Sequence, residues 1–439
     1  MRVRIVWFRR DLRLADNESL TAALQDDAVV VPVYVHGERS PGGLAARAWL
    51  AHSLDSLDRS LRSRGSALVI RSGHPDRELA ELVASCGARA VHCTRDWTPE
   101  GLIEERHVAE ALAAQGVALR VSEGQMLAAP GTVLTAGGAP FRVFTPFCRA
   151  WLGTWRAVAP LPAPAVLPAP AVMPRSTPPT SGVPTVPSPD VCAWWTPGED
   201  GAQARMAAFA DDALAAYGTS RDLPAIRGTS ELSPHLAFGE ISPRQIAFAV
   251  AAHGEDAEPF VRQLAWREFA SHVLHANPDS VRLPLRPEFE RFPWRDDPEG
   301  LAAWAEGRTG FPLVDAGMRQ LAATGWIHNR VRLVCSSFLV KDLLVPWQTG
   351  EAYFRDHLVD FDPASNVFNW QWVAGSGADA APYFRIFNPS LQASRFDANG
   401  AYVGRWVPEA GTNAYPPPIV DHAAARARAL AALSATKSG

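Results

Sequence analysis

Residues 3–8, VRIVWF, and residues 28–35, AVVVPVYV, are short runs rich in valine and isoleucine, and they set the fold. Three more runs of this kind follow: SALVIRSG (66–73), ARAVHCT (88–94) and VALRVSEG (117–124). Between them lie Ala-, Leu- and Arg-rich segments such as ARAWLAHSLDSLDRSLRSRG (46–65), with apolar residues at helical spacing. Strands separated by helices of this length predict an α/β domain over residues 1–128, a parallel, doubly wound sheet. No GxGxxG follows the first run, so the dinucleotide fingerprint is missing, while small-molecule binding at the strand ends stays open.

The chain has 439 residues, more than one domain usually holds, so a second domain is expected. A hydrophobic share of 47% and a charged share of 20% fit an ordered globular protein. With a formal net charge of −4 there is no global basic field, so any nucleic-acid site has to be a local basic patch. Only Lys341 and Lys437 are lysines among 42 basic residues, and arginine suits phosphate through its forked donors. Cys86, Cys93, Cys148, Cys192 and Cys335 form no CxxC pair, which argues against a zinc site and a disulfide framework. The start, MRVRIVWFRRDLRL, is too charged for a signal peptide, and no uncharged apolar run of spanning length follows. A reduced, soluble, cytoplasmic protein without a membrane segment is expected.

Residues 129–200 read as an interdomain linker, with LPAPAVLPAPAVMPRSTPPTSGVPTVPSPD (161–190) at its centre. Such proline density forbids helix interiors and central strands, so the segment is extended where ordered. Beyond it the β-rich runs stop. Amphipathic stretches at 201–217, 243–254, 257–276, 299–306, 312–324, 327–345, 350–359 and 420–434 predict an all-α domain over 201–439.

Several stretches of that second domain carry chemistry. RGTSELSPHLAFGEISPRQ (227–245) sets Gly228, Thr229, Ser230 and Ser233 ahead of Pro234, a residue suited to a first helical turn. Hydroxyls and amides there can hold a phosphate, or they can simply cap the helix. In FVRQLAWREF (260–269), Gln263, Trp266 and Arg267 share a helix face that fits a ligand edge or an amphipathic surface equally. TGWIHNRVRLVCSSFLVKD (324–342) carries Trp326, His328, Asn329, Arg330 and Arg332 in its early turns. His328 reads as structural, since no Ser, Cys or paired carboxylate stands at the spacing of a hydrolytic triad. VDFDPASNVFNWQW (359–372) sets Trp370 and Trp372 beside Asp360, Asp362 and Asn366. Asp and Asn resist burial without partners, so this reads as the wall of a site for something flat, aromatic and polar-edged, not as a core helix. Metal binding by these oxygens is the lesser alternative, because further oxygen ligands are lacking.

Taken together, these segments resemble the photolyase/cryptochrome family. The likeness runs in order through WFRRDLRLADN (7–17), RVFTPFCRAW (142–151), RDLPAIRGTSELSPHLAFGEISPRQ (221–245), LAWREF (264–269), GFPLVDAGMRQLAATGWIHNRVRL (310–333), SFLVKDLL (337–344) and NWQWVAGSGADAAPYFRIFNP (369–389). It spans almost the whole chain and is closest to class I cyclobutane pyrimidine dimer (CPD) photolyases. The resemblance implies an α/β domain for a light-harvesting chromophore, a linker and a helical FAD domain.

It also implies roles. Tyr217 and the run Thr229, Ser230, Glu231, Leu232 and Ser233 would hold the phosphate region of a U-shaped FAD, with Phe260 and Arg267 also on the cofactor. Arg332 and Asp360 would pair beside the isoalloxazine near Asn329, Asp362 would bond its polar edge, and Asn366 would face N5. Trp370, Trp347 and Trp294 match the electron-transfer chain that runs from the surface to the photoexcited flavin. Trp266 and Trp372 match walls of the cavity for a flipped-out dimer, with Gln263, Asn329 and Leu333 on the lesion side. Arg221, Arg330 and Arg385 match phosphate contacts and supply a local basic patch. The implied activity is repair of UV-damaged DNA: reduced flavin, excited by blue light directly or through an antenna, gives the dimer an electron, the ring splits, and the electron returns. The arginine-rich composition favours 8-hydroxy-5-deazaflavin as antenna, with methenyltetrahydrofolate and FMN as alternatives. A monomer without an obligate protein partner is expected.

Asn366 is the photolyase choice, where plant cryptochromes place Asp and insect ones Cys. (6-4) photolyases have His at the positions of Asn329 and Leu333. Gln263, however, stands where many CPD enzymes have Glu, and it matches (6-4) enzymes and animal cryptochromes. A bacterial cryptochrome and a (6-4) photolyase are therefore the alternatives. Glu231 stands where the family often has a basic or small residue, and an acid beside a pyrophosphate is unfavourable unless it points outward.

Overall fold

The structure is a computed structural model that describes residues 2–37, 42–177, 190–379 and 384–438. Five strands, β1 (Val3–Phe8), β2 (Val29–His36), β3 (Val69–Ser72), β4 (Ala90–Thr94) and β5 (Ala118–Ser122), form one parallel sheet in the order β3-β2-β1-β4-β5. Helices α1 (Glu18–Ala23), α2 (Leu44–Arg62), α3 (Pro75–Cys86) and α4 (Pro99–Ala113) make the crossovers. The apolar runs fit because both sheet faces are covered: Val6, Phe8 and Val30 face one core cluster, while Ile5, Trp7 and Val31 face another. Strand order reverses between β1 and β4, the usual place for a ligand in such sheets. A cleft of about 510 Å³ lies there, lined by Trp7, Phe8, Arg9, Arg10, Tyr34, Asp96 and Glu104.

The linker span is only partly a spacer. Helix α5 (Phe144–Leu152) lies inside it and sends Phe144, Phe147 and Trp151 into the core of the helical domain. Between this helix and residue 177, the chain bonds back onto the α/β domain, with Val30 N donating to Pro168 O at 2.8 Å and Thr177 N to Ile70 O at 3.0 Å. Residues 178–189 of the expected linker lie outside the described residues.

Each stretch read as helical carries a helix, among them α6 (Glu199–Asp212), α7 (Glu258–Ala276), α8 (Asn329–Ser337), α9 (Trp347–His357) and α11 (His422–Ser438). Helix α10 (Pro363–Ala374) is a correction, because its sequence had been read as a wall without a helix. The two domains meet closely. The loop after β1 presses on Gly239 (φ +67°), where an added Cβ would lie 1.9 Å from Arg10 O, so glycine is required. Buried Arg13 donates to Gly239 O at 2.9 Å and to Gly124 O at 3.1 Å, and Leu12 N donates to Phe238 O at 3.1 Å. No helix among the described residues is long and apolar enough to cross a membrane.

Candidate functional site

Two helix starts shape the site. Asp362 caps α10 by accepting from Ser365 N at 2.8 Å, Pro363 fills the first helical position, and Gly375 (φ +90°) ends the helix in the left-handed region. His328 caps α8, its Nδ1 accepting from Arg330 N at 3.2 Å. Burial lowers this imidazole to about 4, so it is neutral at pH 7 and serves structure rather than proton transfer. Between the two helices lies a cavity that brings together Asn329, Arg332, Leu333, Asp360, Asp362, Asn366 and Trp370.

The polar walls are pinned in pairs. Arg332 NH2 donates to both Asp360 oxygens, at 3.2 and 3.1 Å. Asp362 Oδ2 accepts from Arg10 NH2 at 2.8 Å, across the domain boundary. Burial alone would raise the Asp362 carboxyl, but Arg10 and Arg267 outweigh it and hold the group below its ordinary range. The Asn366 amide donates to Glu351 Oε1 at 2.9 Å and Glu351 O at 3.2 Å, so its own carbonyl oxygen is left to accept. Arg267 is different. It faces a second, small cavity shared with Arg10, Asp96 and Asp362, and among the described residues it donates to Gln125 O and Met126 Sδ. Burial lowers its pKa, and a guanidinium so placed suits an anion.

The remaining candidates surround these cavities. Tyr217 and Phe260 pack edge to face, with ring centroids 5.3 Å apart. In the run before the six-residue helix Ser233–Phe238, Ser230 Oγ accepts from Leu232 N at 3.4 Å and Ser233 Oγ from Trp326 Nε1 at 3.2 Å. Thr229 is half-buried in the same run. Glu231 sits at φ +52° and pairs with Arg205 at 2.8 Å, which neutralises the acid. Among the residues expected on the lesion side, Arg221 NH2 donates to Gln263 Oε1 at 3.3 Å, while Gln263 Nε2 donates to Pro259 O at 3.3 Å. Arg330 pairs with Asp222 at 2.9 Å. Trp266 stacks on Phe144 with centroids 3.6 Å apart, so helix α5 covers one of its faces. Trp372 donates from Nε1 to Asp379 O at 3.1 Å and lies under Arg385, 5.6 Å from its guanidinium carbon. Trp370 and Trp347 are buried in one core cluster, and partly exposed Trp294 packs against that cluster.

This arrangement has close counterparts among known proteins. The family description "DNA photolyase" matches residues 4–166, and "FAD binding domain of DNA photolyase" matches residues 260–413. A deoxyribodipyrimidine photo-lyase from Agrobacterium fabrum is 45% identical, over 99% of this chain and 98% of its own length. The chain belongs to the DNA photolyase family. Among solved structures, a bacterial class III photolyase from Agrobacterium tumefaciens superposes with a TM-score of 0.96 at 44% identity, covering 100% of this chain and 98% of that one. A cryptochrome from Synechocystis gives 0.90 at 27% identity, with coverage of 98% and 99%.

An FAD-binding domain implies the flavin, and the residues present suit it. The half-buried Arg267 cation suits a phosphate, and the Arg332–Asp360 pair, the Asn366 carbonyl and Trp370 suit a polar-edged aromatic ring. Three participants escaped sequence reasoning in this photolyase. Arg10 comes from the far domain, and only the quoted RRDLRL motif marked it. Glu351, which orients Asn366, gave no signal. Glu268 is buried and accepts from Ala128 N at 3.0 Å and Trp151 Nε1 at 2.6 Å, tying α7 to the linker; burial lifts its carboxyl to about 6.

Proposed function

We propose that this photolyase splits cyclobutane pyrimidine dimers in UV-damaged DNA under blue light, in the cytoplasm and as a monomer. The observation that carries the reading is the single cavity where Asn329, Leu333, Arg332, Asp360, Asn366 and Trp370 converge. Bound in reduced form and excited by blue light, FAD supplies an electron to the dimer and recovers it after the ring opens. Arg332 and Asp360 fix the polar rim, and the Asn366 carbonyl, oriented by Glu351, presents an acceptor rather than an acid. Asn329 and Leu333 offer no imidazole, and His328 beside them is neutral and committed to its cap, so the wall has no histidine donor for (6-4) chemistry. Splitting a cyclobutane ring needs no net proton transfer, which suits such a wall. Trp266 and Trp372 would flank the flipped-out dimer, and Arg221, Arg330 and Arg385 would hold the phosphates. Gln263 would meet the thymine edge, giving up Arg221 to do so.

Trp370, Trp347 and Trp294 run from buried to partly exposed, and we assign them the inward passage of electrons from the surface. In the cleft at the strand ends we place a flat conjugated antenna, with 8-hydroxy-5-deazaflavin preferred on composition alone. Trp7 and Arg9, 4.5 Å from ring to guanidinium, would form its floor. We place the protein beside the class III enzymes rather than class I, given its likeness to the Agrobacterium structure.

The test is blue-light irradiation of reduced protein with an oligonucleotide carrying one cis-syn thymine dimer, with a (6-4) oligonucleotide alongside. Restored thymines in the first alone are expected. A bacterial cryptochrome is the second reading, favoured by Gln263 and the Synechocystis likeness. Bound, photoreducible flavin without turnover on either substrate would establish it.

A further inference from the structure

A chain that places arginine at nearly every cationic position keeps one lysine at its centre. Lys341 is fully buried, on a π-helical turn (Phe338–Asp342) that continues α8. Its Nζ donates to Ala374 O at 2.6 Å and sits 2.9 Å from the centroid of the Phe384 ring. Burial drives its pKa well below the ordinary lysine value. The choice of lysine has a physical reason. One carbonyl and one ring face suit the compact amino group of lysine, whereas arginine would bring five N–H donors to the same place and leave most without an acceptor. π-helical turns also concentrate at functional sites.

Three segments meet at this amino group. The first is the π turn itself. The second is the last turn of α10, the helix that carries Asn366, Trp370 and Trp372. The third is the stretch 384–387, which holds Arg385 and has no regular secondary structure. Phe384 packs on the end of α10, where a Cβ at Gly375 would lie 3.1 Å from its ring, and Phe387 N donates to Ser337 Oγ at 3.2 Å.

We propose that Lys341 is a positioning residue for lesion recognition: held between Ala374 O and the Phe384 ring, it fixes Arg385 over Trp372 and so sets the affinity for dimer-bearing DNA. It takes no part in the photochemistry. This rests on the reading above, in which Trp372 and Arg385 face the lesion.

The test uses full-length, flavin-loaded Lys341→Met, which keeps the volume and removes the hydrogen bond to Ala374 O. Three quantities are read: the Kd for an oligonucleotide with one cis-syn dimer, the rate of flavin photoreduction, and hydrogen exchange at the Phe387 amide. The expected result is affinity weakened about tenfold, ~1.4 kcal/mol, with faster exchange at Phe387 and unchanged photoreduction. Unchanged affinity in a flavin-loaded variant overturns the proposal, whatever the exchange does. Should Lys341→Met fail to fold, Phe384→Leu removes only the ring face, and unchanged dimer affinity in that variant overturns the proposal equally. Wild-type protein that binds dimer and undamaged DNA alike would refute the lesion reading itself. Exchange at Phe387 in the two proteins would then still show whether Lys341 holds the segment.

Discussion

The cavity between α8 and α10 and the cleft at the ends of β1, β2 and β4 both present arginine, aspartate and aromatic side chains, but they hold them differently. In the helical cavity the polar wall groups are fixed by a helix cap, a buried partner or both: Asp362 caps α10 and pairs with Arg10, Asn366 leans on Glu351, and Arg332 pairs with Asp360. In the cleft the groups follow strand ends, with Arg9 against the Trp7 ring and bonded to Glu104 at 2.8 Å. Electron transfer falls steeply with distance and rewards a rigid wall, whereas energy transfer from an antenna acts through space and tolerates looser seating. Arg9 and Asp96 are themselves buried and bonded, so the two sites differ in what does the holding, helix starts in one and strand ends with their following loops in the other.

The comparison breaks most readily at the Asp360 pair. Arg332→Ala strands a buried carboxylate and is expected to cost about 3–5 kcal/mol in urea unfolding and to empty the flavin site. Replacing both partners by leucine should recover much of the stability but not the flavin. Glu268 ties α7 to residues 127–128 and to α5, and Glu268→Gln is expected to cost about 2 kcal/mol, because its three donors lose a carboxylate. Its folded-state carboxyl, near 6, lies above the ordinary value of 4.5, so wild-type stability should fall as pH rises from 4.5 to 6, and the variant should lack that slope. Trp370→Phe should cost about 1–2 kcal/mol through the cavity it leaves and block photoreduction of oxidised flavin, while the chemically reduced protein still repairs. Arg9→Ala should have the smallest effect, removing the antenna band from the repair action spectrum without slowing repair driven by light that the flavin absorbs directly.

How much of this was legible follows the same division. The strands announced themselves as apolar runs, because a parallel sheet covered on both faces leaves no polar alternation to interpret. Helix α10 was missed although Asp362 and Pro363 spell a cap and a first helical position, because the polar residues behind them argued against a core helix. They stand in a helix because their partners, Arg10 and Glu351, come from 352 and 15 residues away, and no local pattern encodes such pairing. Helix α5 was hidden for a similar reason: Phe144 and Trp151 lie inside a span read as linker, and their partners are on α7. The cleft lining comes from separate stretches of chain, the ends of β1 and β2, the start of α3, Asp96 and Glu104, so no one motif marks it.

The most direct measurement is dimer splitting under blue light by chemically reduced wild-type, Arg9→Ala and Arg332→Ala proteins, side by side on one cis-syn thymine dimer oligonucleotide. The wild type and Arg9→Ala should split the dimer equally at wavelengths absorbed by reduced flavin, and Arg332→Ala should not split it. Full repair by Arg332→Ala, or its loss in Arg9→Ala, would contradict the assignment of chemistry to the helical cavity.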